Sequence, residues 1–210
     1  MNKETLYQTF KKYKVVPVIA IEEESKALAL ADALIEGGLP VAEITFRTAA
    51  AAKVIDTLSK QRPELLVGAG TILTIDNLKR AIDCGATFGL APGLNPAVVE
   101  EALKLNFPFS PGVMTPSDIE KALSLGVTKL KFFPAEAAGG TGMLKSLIGP
   151  YAHTGVEFIP TGGISMKNIK EYLSIQQVLA VGGTWVATKE NIKNDDWETI
   201  IRNCQEILRE

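Results

Sequence analysis

The chain has 210 residues, 46% apolar and 22% charged, and its 22 Lys and Arg against 24 Asp and Glu give a net charge of −2. That size and balance suit one globular domain with a substantial core, and they exclude an electrostatic footprint for nucleic acid or an anionic membrane. The longest apolar run, Val15 to Ile21, is seven residues and contains Pro17, against about 18 needed to span a bilayer.

A short amphipathic helix over 3–13 carries Leu6, Tyr7 and Phe10 at helical spacing. Residues 15–21 follow as a buried strand, with Pro17 near its start where a missing N–H does least harm. A helix over 25–36 stops at Gly37-Gly38, and strand two runs from Val41 to Thr45 or beyond. A helix near 49–61 leads to strand three at 65–69, closed by Gly70-Thr71. Helix 76–84 ends in Gly85, and strand 87–91 ends in Pro92-Gly93. Asn95-Pro96 places a cap and an N1 proline before helix 97–105. Strand 108–111 leads to Thr115-Pro116-Ser117-Asp118, a complete helix-start signal for helix 117–125. Strand 129–133, helix 141–148, strand 156–160, helix 166–173 and strand 178–182 follow. A last helix carries Trp197, Ile200, Ile201, Cys204, Ile207 and Leu208 on one face.

This is eight strands alternating with helices and no linker, over a single domain of residues 1–210. NLKRAIDCGATFGL (77–90) and DIEKALSLGVTKLK (118–131) share helix, Gly, one residue, Thr and strand. Continuous apolar strands fit a parallel sheet buried on both faces. A closed barrel and a doubly wound open sheet both predict this alternation.

Lys129-Leu130-Lys131-Phe132-Phe133-Pro134-Ala135-Glu136 carries the strongest chemical signal. Strand alternation puts Lys129, Lys131 and Phe133 on one side and Leu130 and Phe132 on the other. A lysine enclosed by apolar groups is pushed toward its neutral amine, the form that attacks a carbonyl to make a Schiff base. Solvated strand-end lysines fit the same pattern. In Val41–Arg47, Ala42, Ile44 and Phe46 share one face, and Val41, Glu43, Thr45 and Arg47 the other. In a barrel, Glu43 and Arg47 then lie inside near the strand's C-terminal end, where such barrels place their sites. Gly-Gly turns at Gly162-Gly163 and Gly182-Gly183 follow strands seven and eight, matching the phosphate site barrels build there, and favour the barrel over the open sheet.

The two cysteines, Cys84 and Cys204, have no ligand spacing and read as reduced thiols. One histidine, His153, leaves a zinc-type site almost without ligands. No Walker loop, dinucleotide fingerprint or Ser-His-Asp pattern competes.

VPVIAI near the start, EITFRT at 43–48, GAGT at 68–71, APGLN at 91–95, SPGVMTPSD at 110–118, LKFFPAE at 130–136, IPTGGI at 159–164 and VGGTW at 181–185 occur in order. Together they resemble the 2-keto-3-deoxy-6-phosphogluconate (KDPG) / 4-hydroxy-2-oxoglutarate (KHG) aldolase family. The resemblance implies an α/β, (β/α)8 TIM barrel with an extra N-terminal helix, and a cytoplasmic, trimeric, metal-free Schiff-base lyase without cofactor, of the Entner–Doudoroff pathway. Its substrate would be a phosphorylated 2-keto acid, with no nucleic-acid or membrane partner. Position by position, Lys131 matches the Schiff-base lysine, Glu43 the general acid/base and Arg47 the carboxylate-holding arginine. Thr71, Pro92 and Phe133 match pocket-lining positions. Thr161, Gly162 and Gly163 match the loop touching the substrate's hydroxyls and its carboxylate or phosphate side, and Gly182, Gly183 and Thr184 match the last glycine turn. Ala91 and Thr184 stand where the family often has serine, and the extra methyl of Thr184 bears on how a phosphate fits. A phosphosugar isomerase or decarboxylase on the same barrel, using Lys131 only as a charge, or an inactive phosphate-binding barrel, are the rival readings.

Overall fold

The computed structural model describes residues 3–209. Its elements in order are α1 (Lys3–Tyr13), β1 (Val15–Ile19), α2 (Ala27–Glu36), β2 (Val41–Thr45), α3 (Ala51–Gln61), β3 (Leu66–Gly70) and α4 (Ile75–Asp83). Then come β4 (Gly89–Leu90), α5 (Pro96–Lys104), β5 (Phe109–Ser110), β6 (Gly112–Val113), α6 (Pro116–Ser124), β7 (Lys129–Phe132) and α7 (Gly140–Tyr151). The last are β8 (Glu157–Pro160), α8 (Ile169–Leu173), β9 (Val181–Gly183), α9 (Lys189–Lys193) and α10 (Trp197–Leu208). The chain divides into two compact units, one of residues up to Val15 with Leu90–Gly183, the other of Val16–Gly89 with Thr184 onward.

The alternation read from the sequence is present, with local departures. The expected fifth strand is split into β5 and β6 at Pro111, which has no N–H to give a ladder. The expected helix over 166–173 shrinks to the five residues of α8, because Ser165 and Asn168 form a side-chain turn first, Asn168 Oδ1 accepting from the Ser165 N–H at 2.9 Å. The expected strand over 178–182 is reduced to β9 plus one bridge at Val178. Helix α9 lies in a stretch to which the sequence assigned nothing, although Thr188 and Asn191 give it a full capping box.

In the unit holding Val16–Gly89, β1, β2 and β3 pair in parallel, with Val18 opposite Glu43 and Glu43 opposite Gly68. All five β2 residues are buried, as a sheet covered on both faces requires. Helix α10 packs on α2 because Gly37 has no side chain, its missing Cβ lying only 2.5 Å from the Cys204 Cβ. Burial pushes the Cys204 thiol up to about 12. Leu208, placed by its periodicity on the apolar face, overhangs Gly38 at the helix end and stays 46% exposed.

In the other unit, β6, β7 and β8 form a parallel ladder, and β8 continues through the bridges Phe158–Val178 and Thr161–Gly182. Helix α1 buries Leu6 and Phe10. Helix α6 starts with the capping box its sequence announces, the Thr115 hydroxyl accepting from the Asp118 N–H and the Asp118 carboxylate accepting from the Thr115 N–H. Such a cap is worth about 1 kcal/mol. The sequence repeat has a structural counterpart in each unit. Gly85 after α4 and Gly126 after α6 take φ +92 and +78, and each helix closes with the same two reverse hydrogen bonds, Ala86 to Ala81 with Gly85 to Ile82, and Val127 to Ala122 with Gly126 to Leu123.

Glu157, at the start of β8, receives Lys11 Nζ at 2.8 Å and Lys129 Nζ at 2.7 Å. Burial pushes its carboxyl up, but the hydrogen bonds from Lys11 and Lys129 outweigh that and hold it below its ordinary value of 4.5. Glu157→Gln keeps the shape and removes the charge, so wild type should melt higher than the variant at neutral pH. Since the folded-state value is the depressed one, that advantage belongs to pH above the unfolded value and should shrink as pH falls from about 4.5 through the lower folded one. Melting both proteins from pH 7 to pH 2 checks this; a gap that does not change with pH would show that the two lysines leave Glu157 unaffected.

Candidate active site

Burying a polar side chain costs free energy unless the site answers it. Among the described residues, the buried polar or charged side chains are Glu43, Thr45, Ser110, Lys131 and Thr161. All stand on β2, β5 and β7 or immediately after β8.

Lys131 is only 5% exposed. In the β7 ladder it lies opposite Gly112 on one side and Ile159 on the other, and its N–H donates to the Pro111 carbonyl at 2.9 Å. Its Nζ is 5.7 Å from the centroid of the Phe133 ring. The opposing Gly112 must be glycine, since a Cβ there would overlap the Pro92 carbonyl. Lys129, two residues earlier, is tied to Glu157 and lies 5.8 Å from the Tyr7 ring. Leu130 and Phe132, between and after them, are fully buried. The sequence pattern left both lysines open to a solvated role; Lys131 is buried, and Lys129, partly exposed, is held by Glu157.

Glu43 is 1% exposed at the middle of β2. Its carboxylate lies over the Gly70 α-carbon, where a Cβ would overlap Oε1. Thr45 donates its hydroxyl to the Ile19 carbonyl at 2.9 Å and accepts from Arg47 Nε at 3.3 Å. Arg47 lies beyond the end of β2, exposed, in a turn closed by its own N–H on the Thr45 carbonyl at 2.7 Å. Strand parity therefore does not orient Arg47; the turn and the Thr45 hydroxyl do. Thr71, half-buried after β3, has φ +59. A β-branched residue there costs about 1–3 kcal/mol, and such strain gathers at functional sites. A cavity of 260 Å³ is lined by Val18, Ala20, Arg47, Thr184, Ala187, Thr188 and Lys189. It joins Arg47 and Thr184, which the motifs separate by more than 130 positions, and adds Lys189, whose Nζ meets Glu22 at 3.0 Å. The larger 530 Å³ cavity beside it is lined by Glu22, Glu23 and Glu190 as well as lysines, and includes none of the candidate site residues.

The two glycine pairs differ. Gly162 and Gly163 form a true turn, with φ +103 and +79, and Gly163 is exposed. Gly182 and Gly183 are instead strand residues of β9. Gly182 is small because the Thr161 side chain occupies the place of its Cβ. Only Thr184 follows that strand, and it is exposed. The helices after these loops, α8 and α9, have five residues each, so little helix dipole reaches either loop.

Thr45, Gly112 and Lys189 were not singled out as site residues from the sequence. The first two lie within quoted motifs, but their roles depend on contacts between strands; Lys189 follows the Thr188 cap without a motif of its own. Among the described residues no group of three or more His, Cys, Asp or Glu could hold a metal ion. No helix of the described residues is long and apolar enough to cross a membrane.

The family model for KDPG and KHG aldolase matches residues 6–203. A 2-dehydro-3-deoxy-phosphogluconate aldolase of Haemophilus influenzae is 45% identical over 203 residues, covering 97% of this chain and 95% of its own. The KDPG aldolase of Legionella pneumophila, solved with pyruvate captured at low pH as a covalent carbinolamine, superimposes with a TM-score of 0.92 at 40% identity, over 96% of this chain and 97% of that one. The Zymomonas mobilis enzyme with 3-phosphoglycerate gives a TM-score of 0.86 at 36% identity, over 95% and 93%. On this evidence the chain belongs to the KDPG and KHG aldolase family, with that family's TIM-barrel-like α/β fold and an N-terminal helix.

Proposed function

We propose that this aldolase works through Lys131 as Schiff-base amine and Glu43 as general acid/base, acting over residues 1–210 as one catalytic (β/α)8 domain. The observation that carries the reading is the contrast between the two lysines of β7. Lys129 is tied to Glu157, whereas Lys131 is buried beside Phe133 and opposite a glycine. The covalent pyruvate of the Legionella relative supports the same chemistry.

The Lys131 amine adds to the C2 carbonyl of a 2-keto-4-hydroxy acid, and loss of water leaves an iminium. The Glu43 carboxylate takes the C4 hydroxyl proton, the C3–C4 bond breaks, and its electrons flow into the iminium to give an enamine. The aldehyde departs, C3 is protonated, and hydrolysis releases pyruvate and frees Lys131. With KDPG the aldehyde is D-glyceraldehyde 3-phosphate; with 4-hydroxy-2-oxoglutarate it is glyoxylate. Arg47 and Thr71 hold the keto-acid carboxylate, and Pro92 and Phe133 line the pocket. Thr161, Gly162, Gly163, Gly182, Gly183 and Thr184 serve the hydroxyl and anionic end. The 3-phosphoglycerate of the Zymomonas relative supports a phosphorylated substrate. A cytoplasmic homotrimer is the assembly and location we assign by family.

Borohydride with pyruvate should add one stable adduct, on the peptide holding Lys131. Lys131→Ala should abolish it and Lys129→Ala should not; labelling that follows Lys129 would reverse the assignment. In steady-state cleavage of KDPG, Glu43→Gln keeps the shape without the base, so kcat should drop by roughly 10²–10⁴, and a drop of only a few-fold would move the proton to another group. Thr184→Val removes one exposed hydroxyl beside Arg47. It should lower kcat/KM for KDPG by about tenfold, as expected for one hydrogen bond to a charged group, and lower that for 4-hydroxy-2-oxoglutarate much less. Equal losses on both substrates would place the phosphate elsewhere.

A further inference from the structure

Glu136 closes the LKFFPAE stretch, and the chemistry above does not use it. Its N–H donates to the Gly162 carbonyl at 3.0 Å, and the Ala135 N–H donates to the Thr161 carbonyl at 2.8 Å, so the segment after β7 is stitched to the turn after β8. The Glu136 methylenes lie against Gly163, with Cβ 2.6 Å and Cγ 2.7 Å from where a Gly163 side chain would begin. Its carboxylate is turned toward Gly140, whose missing Cβ would sit 3.2 Å from Oε1. There it accepts a hydrogen bond from the hydroxyl of Tyr172. Tyr172 is itself fully buried, on α8. Burial, then the bond to Glu136, raises its phenol above the ordinary range, so the hydroxyl stays a donor at working pH.

Glu136 and Gly163 are both exposed, and a carboxylate next to that turn is a hazard if the turn binds an anion. Freed from Tyr172, the Glu136 side chain could swing across the Gly162-Gly163 N–H groups, repelling the ligand and competing for its donors. We propose that Tyr172 is a positioning residue that pins the Glu136 carboxylate away from the Gly162-Gly163 turn and so keeps that turn open to the anionic end of the substrate. The proposal rests on the reading of this turn as part of the substrate's anion site.

The test measures KDPG cleavage, pyruvate adduct formation and amide hydrogen exchange in wild type, Tyr172→Phe, Glu136→Asp, and Tyr172→Phe combined with Glu136→Gln. Tyr172→Phe should raise KM for KDPG by about five- to tenfold, with kcat and the pyruvate adduct within about two-fold of wild type. Because the fault is a loose charge, the added Glu136→Gln should restore KM, and the Tyr172→Phe defect should shrink at high salt. A purely structural role would move neither. Glu136→Asp keeps the charge but is too short for the Tyr172 hydroxyl, and repeats the test should Tyr172→Phe melt below the assay temperature. An unchanged KM in the folded variants, or a failure of Glu136→Gln to rescue, overturns the proposal. In wild type, 3-phosphoglycerate should slow exchange of the amides at 162–164. If it does not, the anion-site reading falls and the proposal with it; if it does while KM is unmoved, the proposal alone is wrong.

Discussion

Charged groups on buried parallel strands need room as well as partners, and in this chain the room comes from glycine. Removing an ion from water costs several kcal/mol even after the protein relaxes, so a carboxylate or ammonium is retained inside only where the packing is built around it. Glu43 lies across Gly70, the Thr161 side chain takes the place of a Gly182 Cβ, and Gly112 stands opposite Lys131 with the Pro92 carbonyl packed against it. A methyl group at any of these glycines would collide with a residue that the motifs assign to the site or with its backbone. The glycines in these strands therefore act chiefly by close approach, whereas Gly162-Gly163, like the helix-closing Gly85 and Gly126, takes positive φ.

Two lysines separated by one residue illustrate how local surroundings divide roles. Lys129 begins β7 and joins Lys11, Glu157 and Tyr7 in a cluster that ties α1 to β8. The same cluster keeps Glu157 ionised further into acid and, through burial and then the Glu157 charge, pushes the Tyr7 phenol up to about 12. Lys131 lies beyond that cluster, among apolar groups and a glycine. The first lysine serves the fold, and the second is the one assigned the Schiff-base role in the proposed function.

The two loops assigned to the substrate's anionic end in the proposed function draw little on helix dipoles, because α8 and α9 are too short to project much field. In one unit Arg47, Lys189, Thr184 and Thr188 surround a single cavity. In the other the Gly162-Gly163 turn is held by Ala135 and Glu136, and the Tyr172 hydroxyl governs where the nearest carboxylate points. Thr184, a departure from the family's common serine, lines that cavity.

The sequence by itself determined the alternation of elements, the caps of α5 and α6, the glycine stops of α4 and α6, and the family, through motifs whose order and spacing survive without any coordinates. Those features are local: a capping box or a buried strand is written within a few consecutive residues. It also placed Glu43 and Lys131 on strands, because alternation along a strand is a property of the backbone. What it could not determine were relations between segments far apart in the chain. Only tertiary structure decided that Pro111 splits a strand, that Arg47 is oriented by a turn and Thr45, that Gly182-Gly183 is strand while Gly162-Gly163 is turn, and that Glu136 meets Tyr172. Each of these depends on which strand or helix lies alongside, and a one-dimensional pattern does not carry that information.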